Sequence, residues 1–325
     1  MSIPGKEVQN GVYEFDYMRA PDTRTKKQIF LDALYNPTTK AILGHTKREW
    51  GRTVLFYTIF LSCLAVFFAI CMKGLLATLS EHRPTYILDS SVIGTSPGMG
   101  YRPLPASITR EMIISYDSKN VTDMNSWIKR INTFLESYHN SSLLPGGGRN
   151  QQICDYNQPP RTGKVCMFDV DNLGPCSYDK GYGFVHSQPC VFIKLNKIFG
   201  WIPDHYNDSK DFPSHMPQSV KSHIENNINS GRSKTVWVSC KAVREKDALI
   251  EQVKYYPEVQ GFPGYYYPYE NQEGYLSPLV AVQFIKFQTN TTINVECQAW
   301  AKNTRSGNQS EDKAYRVRFS LRVNV

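Results

Sequence analysis

The sequence of 325 residues has no block of like charge, and its overall hydrophobicity is low. Each of these absences excludes a class of protein. It carries 37 Lys and Arg against 29 Asp and Glu, a formal net charge of +8. This excess is small and scattered, which argues against a nucleic-acid-binding surface. The mean hydropathy is negative, which excludes a channel or transporter with many membrane passes. With 41% hydrophobic residues, the chain is not wholly disordered either.

Motifs for phosphate binding, zinc binding and catalysis are also scarce. The glycines at 146–148 form no phosphate loop, because no Gly-Lys-Ser/Thr follows them. The sequence contains no His-Glu-x-x-His and no Cys-x-x-Cys, which are common zinc-site spacings. Asp169 and Asp171 resemble the Asp-x-Asp of Golgi glycosyltransferases, but the βαβ order of a nucleotide-binding domain is missing. We therefore expect a solvated acidic turn there, and no catalytic residue, cofactor or metal site.

One segment of the chain is strongly apolar. From Thr53 to Met72 the sequence has 20 residues without a charge, which span roughly 30 Å as a helix, the thickness of a bilayer core. The long polar segment before this run argues against a cleaved signal peptide. Basic residues are concentrated before the run, at Lys40, Lys47, Arg48 and Arg52. This bias predicts a cytoplasmic N-terminus.

These features predict a type II plasma-membrane protein in three parts: a cytoplasmic tail (1–52), a transmembrane helix (53–79) and an extracellular domain (80–325). Cys63 and Cys71 lie in the apolar run. Six more cysteines follow it, which is an even number and predicts disulfides without fixing their pairing: Cys154, Cys166, Cys176, Cys190, Cys240 and Cys297. Five sequons in the outer domain are predicted N-glycosylation sites: Asn120, Asn140, Asn207, Asn290 and Asn308.

The regions that flank the apolar run differ in composition. Residues 1–28 are polar and predict a disordered tail. Residues 29–52 carry several large apolar side chains, among them Phe30, Leu31, Leu34, Tyr35, Leu43 and Trp50. This segment is either an interfacial anchor or a docking site for a partner at the inner membrane face. Residues 84–110 are rich in proline and glycine and predict an extended stalk.

Periodicity predicts one helix and several strands in the outer domain. Thr122 or Asp123 is the expected cap of a helix with apolar residues three or four apart: Met124, Trp127, Ile128, Ile131, Leu135 and Tyr138. Alternating runs predict strands near residues 236–240, 280–284, 293–301 and 315–325. Cys240 and Cys297 fall on the apolar faces, where a bond would clamp two sheets. The predicted fold is an antiparallel sandwich with one packed α-helix.

An aromatic cluster follows in the C-terminal half: Tyr255, Tyr256, Phe262, Tyr265, Tyr266, Tyr267, Tyr269 and Tyr275. Tyrosine-rich surfaces favour protein interfaces, since the ring buries area while its hydroxyl stays hydrogen-bonded. Packing in the domain's own core explains the same cluster, and the sequence leaves both interpretations open.

Several stretches resemble the β subunits of Na+/K+- and H+/K+-transporting ATPases. Residues 188–203 read QPCVFIKLNKIFGWIP, and residues 266–269, YYPY, are followed by LSPLVAVQF at 276–284. Cys166, Leu173 and Cys176 match the cysteine signature of the family, although Tyr178 stands where glycine is usual. Near the membrane, the family signature is matched by Phe30, Tyr35, Asn36, Leu43, Gly44, Thr46 and Trp50, and is not matched by Ala33 and His45.

The resemblance implies three sequential disulfides, Cys154–Cys166, Cys176–Cys190 and Cys240–Cys297, and an immunoglobulin-like outer domain. It also implies a non-catalytic subunit that binds the catalytic α subunit of a P-type cation-transporting ATPase, helps to deliver it to the plasma membrane and modulates its potassium affinity. A small single-pass regulatory subunit is a further candidate partner, as is the lipid bilayer, whereas no nucleic acid is expected. A sodium pump is favoured over a proton pump on the resemblance alone.

Two sets of residues are predicted to contact the α subunit. In and near the membrane helix they are Trp50, Tyr57, Ser62, Ala65 and Ala69, of which the small residues permit close helix approach. In the outer domain they are Tyr265, Tyr266, Tyr267 and Tyr269. The main rival function is cell adhesion through the glycosylated outer domain.

Overall fold

The computed structural model of the chain describes residues 6–8, 12–14, 25–36, 40–43, 45–80, 82–105, 112–243, 250–304 and 315–325. The chain divides into two compact units, Met1–Leu79 and Ser80–Val325. The second unit begins at residue 80, the residue at which the sequence analysis starts the predicted extracellular domain.

The described residues of the first unit form two short hairpins and two helices. Its elements are β1 (Lys6–Val8), β2 (Val12–Glu14), α1 (Lys26–Leu34), β3 (Tyr35–Asn36), β4 (Ala41–Ile42) and α2 (Lys47–Ala77). Strand β1 pairs with β2 and β3 with β4, both antiparallel. The prediction of a tail without regular structure over residues 1–28 is therefore wrong at β1 and β2, because pairing of backbone groups does not require apolar side chains.

Helix α2 contains the whole uncharged run and has the length and composition of a membrane-spanning helix. It begins at Lys47 and ends at Ala77, whereas the sequence predicted a helix over 53–79. The earlier start has a local cause: the carboxylate of Glu49 accepts the backbone N–H of Thr46 (2.7 Å) and the Thr46 hydroxyl. This capping arrangement satisfies amide groups at the helix start. The charged first turn is helical even though it lies outside the apolar run.

The second unit is built around two β-sheets. Its strands are β5 (Met99–Arg102), β6 (Ile113–Asp117), β7 (Gln151–Gln152), β8 (Val165–Cys166), β9 (Cys190–Leu195), β10 (Thr235–Ala242), β11 (Ile250–Tyr256), β12 (Gly261–Pro263), β13 (Leu279–Phe287), β14 (Ile293–Trp300) and β15 (Arg316–Asn324). One sheet has the order β12–β10–β14–β15–β6, and the other has β11–β13–β9–β5. Strands β7 and β8 form a separate short pair.

The sheets pack face to face through alternating apolar side chains. Phe319 of β15 stacks on Tyr101 of β5 (ring centroids 4.8 Å apart) and lies edge-on to Phe284 of β13 (6.2 Å). These contacts join the five-stranded sheet to the four-stranded sheet. The prediction of a sandwich is confirmed, with one exception: β6 pairs with β15 in parallel. Alternation of apolar residues assigns faces but carries no information on the direction of a neighbouring strand.

Helix α3 (Val121–His139) is the helix that the sequence predicted. It buries Met124, Trp127, Ile131 and Leu135, and the Trp127 indole donates to the Ser115 carbonyl of β6 (3.0 Å). Its cap differs from the prediction.

The side chain of Asn120 caps α3 by accepting the backbone N–H groups of Thr122 (3.1 Å) and Asp123 (3.2 Å). Asp123 instead accepts the backbone N–H of Asp117 (3.0 Å). Asparagine is among the preferred capping residues. The observed cap is two residues before Thr122 and three before Asp123, so the helix begins earlier than expected.

A second helix, α4 (Gln218–Asn229), was not predicted. It buries Val220 and Ile224 against Trp237 and Trp300, in a small cluster separate from the main core. The strand β10 that carries Trp237 belongs to the five-stranded sheet, so α4 covers part of that sheet. The signal was the spacing of four between the two buried residues, which was too short a pattern to stand out.

The segment predicted as a stalk is only partly extended. Residues 99–102 form β5, an edge strand of the four-stranded sheet, and residues 88–90 form a 3-10 turn. The alternate residues Met99 and Tyr101 are buried, which explains why this piece joins the sandwich. Pro97 and Pro103 flank β5 and Gly100 lies within it, yet they do not prevent a short edge strand.

Candidate partner-binding surfaces

Helix α2 has no buried side chain among the described residues. At about 100° per residue, Ser62, Ala65 and Ala69 lie on one face. This placement matches the predicted stripe of small residues. Tyr57 lies about 110° around the helix from the centre of that stripe, whereas Thr58 is in line with it. The Thr58 hydroxyl donates to the carbonyl of Val54 (2.7 Å), as threonine commonly does in membrane helices.

Trp50 ties the first turn of α2 to the preceding hairpin. Its indole N–H donates to the carbonyl of Ile42 (2.9 Å), and its ring lies edge-on to His45 (6.1 Å). About a third of the Trp50 side chain is exposed. Trp50 therefore has a positioning contact within its own chain as well as an exposed edge, which is free for the predicted partner contact.

The tyrosines predicted at the α-subunit interface separate into different environments. Tyr266 is buried, and its hydroxyl donates to the carbonyl of Met167 (2.9 Å). This burial raises the pKa of its hydroxyl. Tyr266 belongs to the core of its own domain, so its prediction as a contact residue is corrected. The local sequence gives no periodicity that distinguishes it from its neighbours.

Tyr265 and Tyr267 are half-buried. The ring of Tyr265 packs edge-on against Tyr156 (5.3 Å), and that of Tyr267 against Trp201 (5.3 Å). Burial raises the pKa of Tyr265 to about 12 and that of Tyr267 well above its ordinary value. The Tyr267 hydroxyl is buried without a hydrogen-bond partner among the described residues. Both tyrosines pack against the core of their own domain and are only partly exposed.

Tyr269 lines a surface groove of about 470 Å³, alongside Arg83, Tyr86, Ile93, Lys197 and Phe199. The Lys197 ammonium lies 5.2 Å from the ring centres of both Tyr269 and Tyr275, within cation–π distance. Partial burial lowers the pKa of Lys197. The groove thus combines apolar walls with one cation held by two aromatic faces. Sequence reasoning missed Lys197, although it stands inside the family-like stretch 188–203.

The six outer cysteines form three disulfides: Cys154–Cys166, Cys176–Cys190 and Cys240–Cys297. This is the pairing that the family resemblance implies. Cys240 and Cys297 are direct register partners on neighbouring strands β10 and β14 of one sheet. The expectation that this bond clamps two sheets is therefore wrong, because both strands lie in the same layer.

Four of the predicted glycosylation sites, Asn120, Asn140, Asn207 and Asn290, are exposed. The side-chain oxygen of Asn140 accepts the N–H of Ser142 (3.1 Å), and that of Asn290 accepts the N–H of Val325 (3.1 Å). In each case the amide oxygen is engaged while the side chain stays at the surface, where a glycan fits. Asn308 lies outside the described residues.

The acidic pair forms an exposed local turn. The Asp169 carboxylate accepts the backbone N–H of Asp171 (3.0 Å), and Asp171 pairs with His139 (3.1 Å). Within the described ranges there is no group of three or more His, Cys, Asp or Glu that is arranged for a metal ion. This arrangement agrees with the predicted solvated turn.

One motif match escaped the sequence reasoning. Residues 94–98, GTSPG, fit the Gly-x-Ser-x-Gly pattern of a serine-hydrolase elbow. That elbow places serine between a strand and a helix, with a base beside it. Here the motif precedes strand β5, and the buried Ser96 hydroxyl has no hydrogen-bond partner in the described parts of the chain. The geometry is not that of an activated nucleophile.

Comparison with known proteins gives a consistent assignment. The sequence model of the family described as sodium/potassium ATPase beta chain matches residues 20–319. Two Drosophila melanogaster relatives, named sodium/potassium-transporting ATPase subunits beta-2 and beta-1, are each 42% identical, over 88% and 91% of this chain and 90% and 93% of their own lengths. The human subunit beta-2 is 28% identical over 90% of this chain and 92% of its own length. The chain therefore belongs to the sodium/potassium ATPase beta chain family, whose members are non-catalytic subunits of the pump.

Proposed function

We propose that this chain assembles with the catalytic α subunit of a Na+/K+-transporting ATPase, stabilises it, delivers it to the plasma membrane and modulates its potassium affinity. In this proposal the chain is a type II membrane protein with residues 80–325 outside the cell. The observation that carries it is α2, a membrane helix without a packing partner among the described residues. A single helix encloses no ion path, so its exposed face is available to a partner or to lipid.

Two surfaces support assembly. In the membrane, Ser62, Ala65 and Ala69 offer a low ridge that another helix can approach closely. Outside the membrane, the groove at Tyr269 offers apolar walls and the Lys197 cation. A binding partner that engages only the folded α subunit shifts the folding equilibrium of that subunit by mass action. Stabilisation and delivery follow from this linkage.

An effect on potassium affinity requires contacts that differ between the two main states of the pump. A subunit that bound both states equally would shift neither. The outer groove and the membrane face are the two places where such a difference would arise. Variants of these two surfaces distinguish assembly from modulation. A loss of assembly lowers the ratio of this chain to the α subunit, whereas a loss of modulation changes the potassium affinity while that ratio stays the same.

The membrane contact is tested by adding bulk on one face of α2. Ala65→Phe should reduce co-purification of the large pump subunit in mild detergent several-fold, because the ring separates the helices. Cys63→Phe adds bulk about 160° around the helix from Ala65, at an exposed position away from Tyr57, and is the matched control. Equal recovery of the large subunit with both variants would contradict the assigned face.

The outer contact is tested at the groove. Tyr269→Ala should weaken co-purification, whereas the half-buried Tyr265→Phe, which keeps the ring, should not. If instead no large subunit accompanies the wild-type chain and the outer domain alone aggregates coated beads, adhesion replaces the pump assignment. A proton pump as the partner would be seen directly in the identity of the co-purified subunit.

A further inference from the structure

An apolar surface near the start of α2 is uncovered within the first unit. Phe30 and Leu43, at 64% and 56%, are among its most exposed side chains. The surface comprises Phe30, Leu31, Leu34, Tyr35, Ile42 and Leu43, all of them exposed. So many large apolar side chains within 14 residues are unusual on a surface that faces water. We call this surface the foot.

Backbone hydrogen bonds make the foot continuous with α2. Tyr35 of β3 pairs with Ile42 of β4, and the N–H of Leu43 donates to the carbonyl of Leu34 at the end of α1 (3.2 Å). Ile42 and His45 exchange two backbone hydrogen bonds, of 2.9 and 3.1 Å. Helix α1, the hairpin and the start of α2 are therefore connected at every junction by these bonds.

The bond from Trp50 fixes the depth of the foot. Its indole lies 2.9 Å from the Ile42 carbonyl, and Trp50 precedes the uncharged run by three residues, a rise of about 4.5 Å. Tryptophan is enriched at the level of lipid headgroups. If α2 spans the bilayer, Ile42 and its hydrogen-bonded neighbours lie at that same level.

The foot also has the charge of a lipid-facing surface. At about 100° per residue, Phe30, Leu31 and Leu34 lie within roughly one third of the α1 circumference. Between residues 25 and 52 the sequence has six Lys or Arg and two Asp or Glu. Basic side chains beside an apolar face are typical of segments that bind anionic membrane surfaces.

We propose that the foot inserts into the headgroup region of the leaflet on the N-terminal side of α2, and that its occupant is anionic phospholipid. Phe30, Leu34 and Leu43 enter the boundary with the acyl chains, while Lys40 and Lys47 meet the headgroup phosphates. The preference for anionic lipid rests on the cytoplasmic orientation of this end under the proposed function. Insertion itself rests only on α2 spanning the membrane.

The test measures the depth of one foot residue in the full chain. With Cys63 and Cys71 replaced by alanine, Leu34→Cys is labelled with an environment-sensitive NBD probe, and the chain is reconstituted without any other protein. Vesicles are made of phosphatidylcholine with or without phosphatidylserine. Lys119→Cys, an exposed position in the second unit, is the control for a probe in water.

The Leu34 probe should emit at shorter wavelength, resist aqueous iodide and be quenched several-fold more by spin-labelled lipid than the Lys119 probe. Phosphatidylserine should enhance the protection, and Lys40→Gln with Lys47→Gln should remove that enhancement. Trp50→Phe, which deletes the bond to Ile42, should return the probe toward water.

Equal access of iodide to the two probes in both kinds of vesicle would overturn the proposal. Protection that arises only when the large pump subunit is added would overturn it too, and would assign the foot to a protein partner. Because the primary measurement contains no other protein, a failure of the proposed assembly would leave its result unchanged.

Discussion

At the scale of single residues, environment outweighs residue type. Glu296 projects from β14 but is only 6% exposed, because Arg318 (2.6 Å) and Arg316 (3.5 Å) flank its carboxylate. Tyr255 lies in a tyrosine-rich stretch, but its hydroxyl is engaged within its own domain. It accepts a hydrogen bond from the backbone N–H of Cys240 (2.8 Å). Such side chains have structural roles that their neighbours in sequence do not reveal.

We expect the buried hydroxyl of Tyr255 to make the folded domain less stable at alkaline pH. Burial raises the pKa of its hydroxyl to about 12, above the ordinary value near 10 in the unfolded chain. Its neutral form is thus favoured by folding. The resulting stability is fully present below about pH 10 and is lost as the pH rises from about 10 to about 12.

The comparison is between wild type and Tyr255→Phe, as full-length chains with intact disulfides in detergent. At neutral pH the variant should be less stable by about 1 kcal/mol, because the Cys240 amide loses its acceptor. Near pH 11 the difference should shrink or reverse by on the order of 1 kcal/mol, since phenylalanine does not ionise. The same difference in the free energy of unfolding at both pH values would contradict this account.

At the scale of elements, α3 depends on one residue with two potential uses. Asn120 caps the helix with its side-chain oxygen and is also the acceptor of a sequon that ends at Thr122. The nitrogen of the side chain is where a glycan attaches, so capping and glycosylation use different atoms. Because α3 packs Trp127 and Leu135 into the core, loss of its cap should lower the stability of the whole domain.

Two substitutions separate these uses. With N-glycosylation blocked, Asn120→Ala should lower the free energy of unfolding by about 1 kcal/mol, as expected for a lost cap. Thr122→Ala destroys the same sequon but keeps the cap, and should leave stability within a few tenths of a kcal/mol. Chemical denaturation of the two variants side by side makes the measurement. If both destabilise equally, Asn120 is not the cap.

At the scale of the whole molecule, two units of different character share one chain. The first has an exposed apolar helix, and the second has three disulfides and a buried sandwich core. Disulfides persist in oxidising compartments, which favours an extracellular second unit. The basic residues before α2 favour a cytoplasmic first unit. The two arguments are independent and agree on one topology.

This topology predicts the pattern of protease digestion in sealed, right-side-out vesicles. Protease added outside should cleave within residues 80–325 and spare the segment before α2, with fragments separated on reducing gels because the bonds otherwise join them. Permeabilised vesicles, in which both sides are accessible, are the control. Cleavage confined to the N-terminal segment would refute the topology and with it the extracellular role of the groove.

Much of the fold was predictable where the pattern is long. The alternation at 315–325 matches β15, and the apolar positions of α3 recur over about four turns. Short patterns failed: α4 buries only two side chains, and β5 spans four residues between turns. The candidate surfaces were only partly recognisable from the sequence. The small-residue face of α2 follows from helical geometry, but burial divides Tyr266 from Tyr269, and the sequence treats both as tyrosine in one motif.

The sequence by itself determined the membrane helix, the alternation of the main strands and the placement of cysteines in the outer unit, because each depends on composition or on a local period. Only the tertiary structure decided that Cys240 faces Cys297 across one sheet, that β6 runs parallel to β15 and that Lys197 lies between two tyrosine rings. Those features join residues far apart in the chain. They depend on which surfaces meet once the core has closed, and no local pattern encodes that choice.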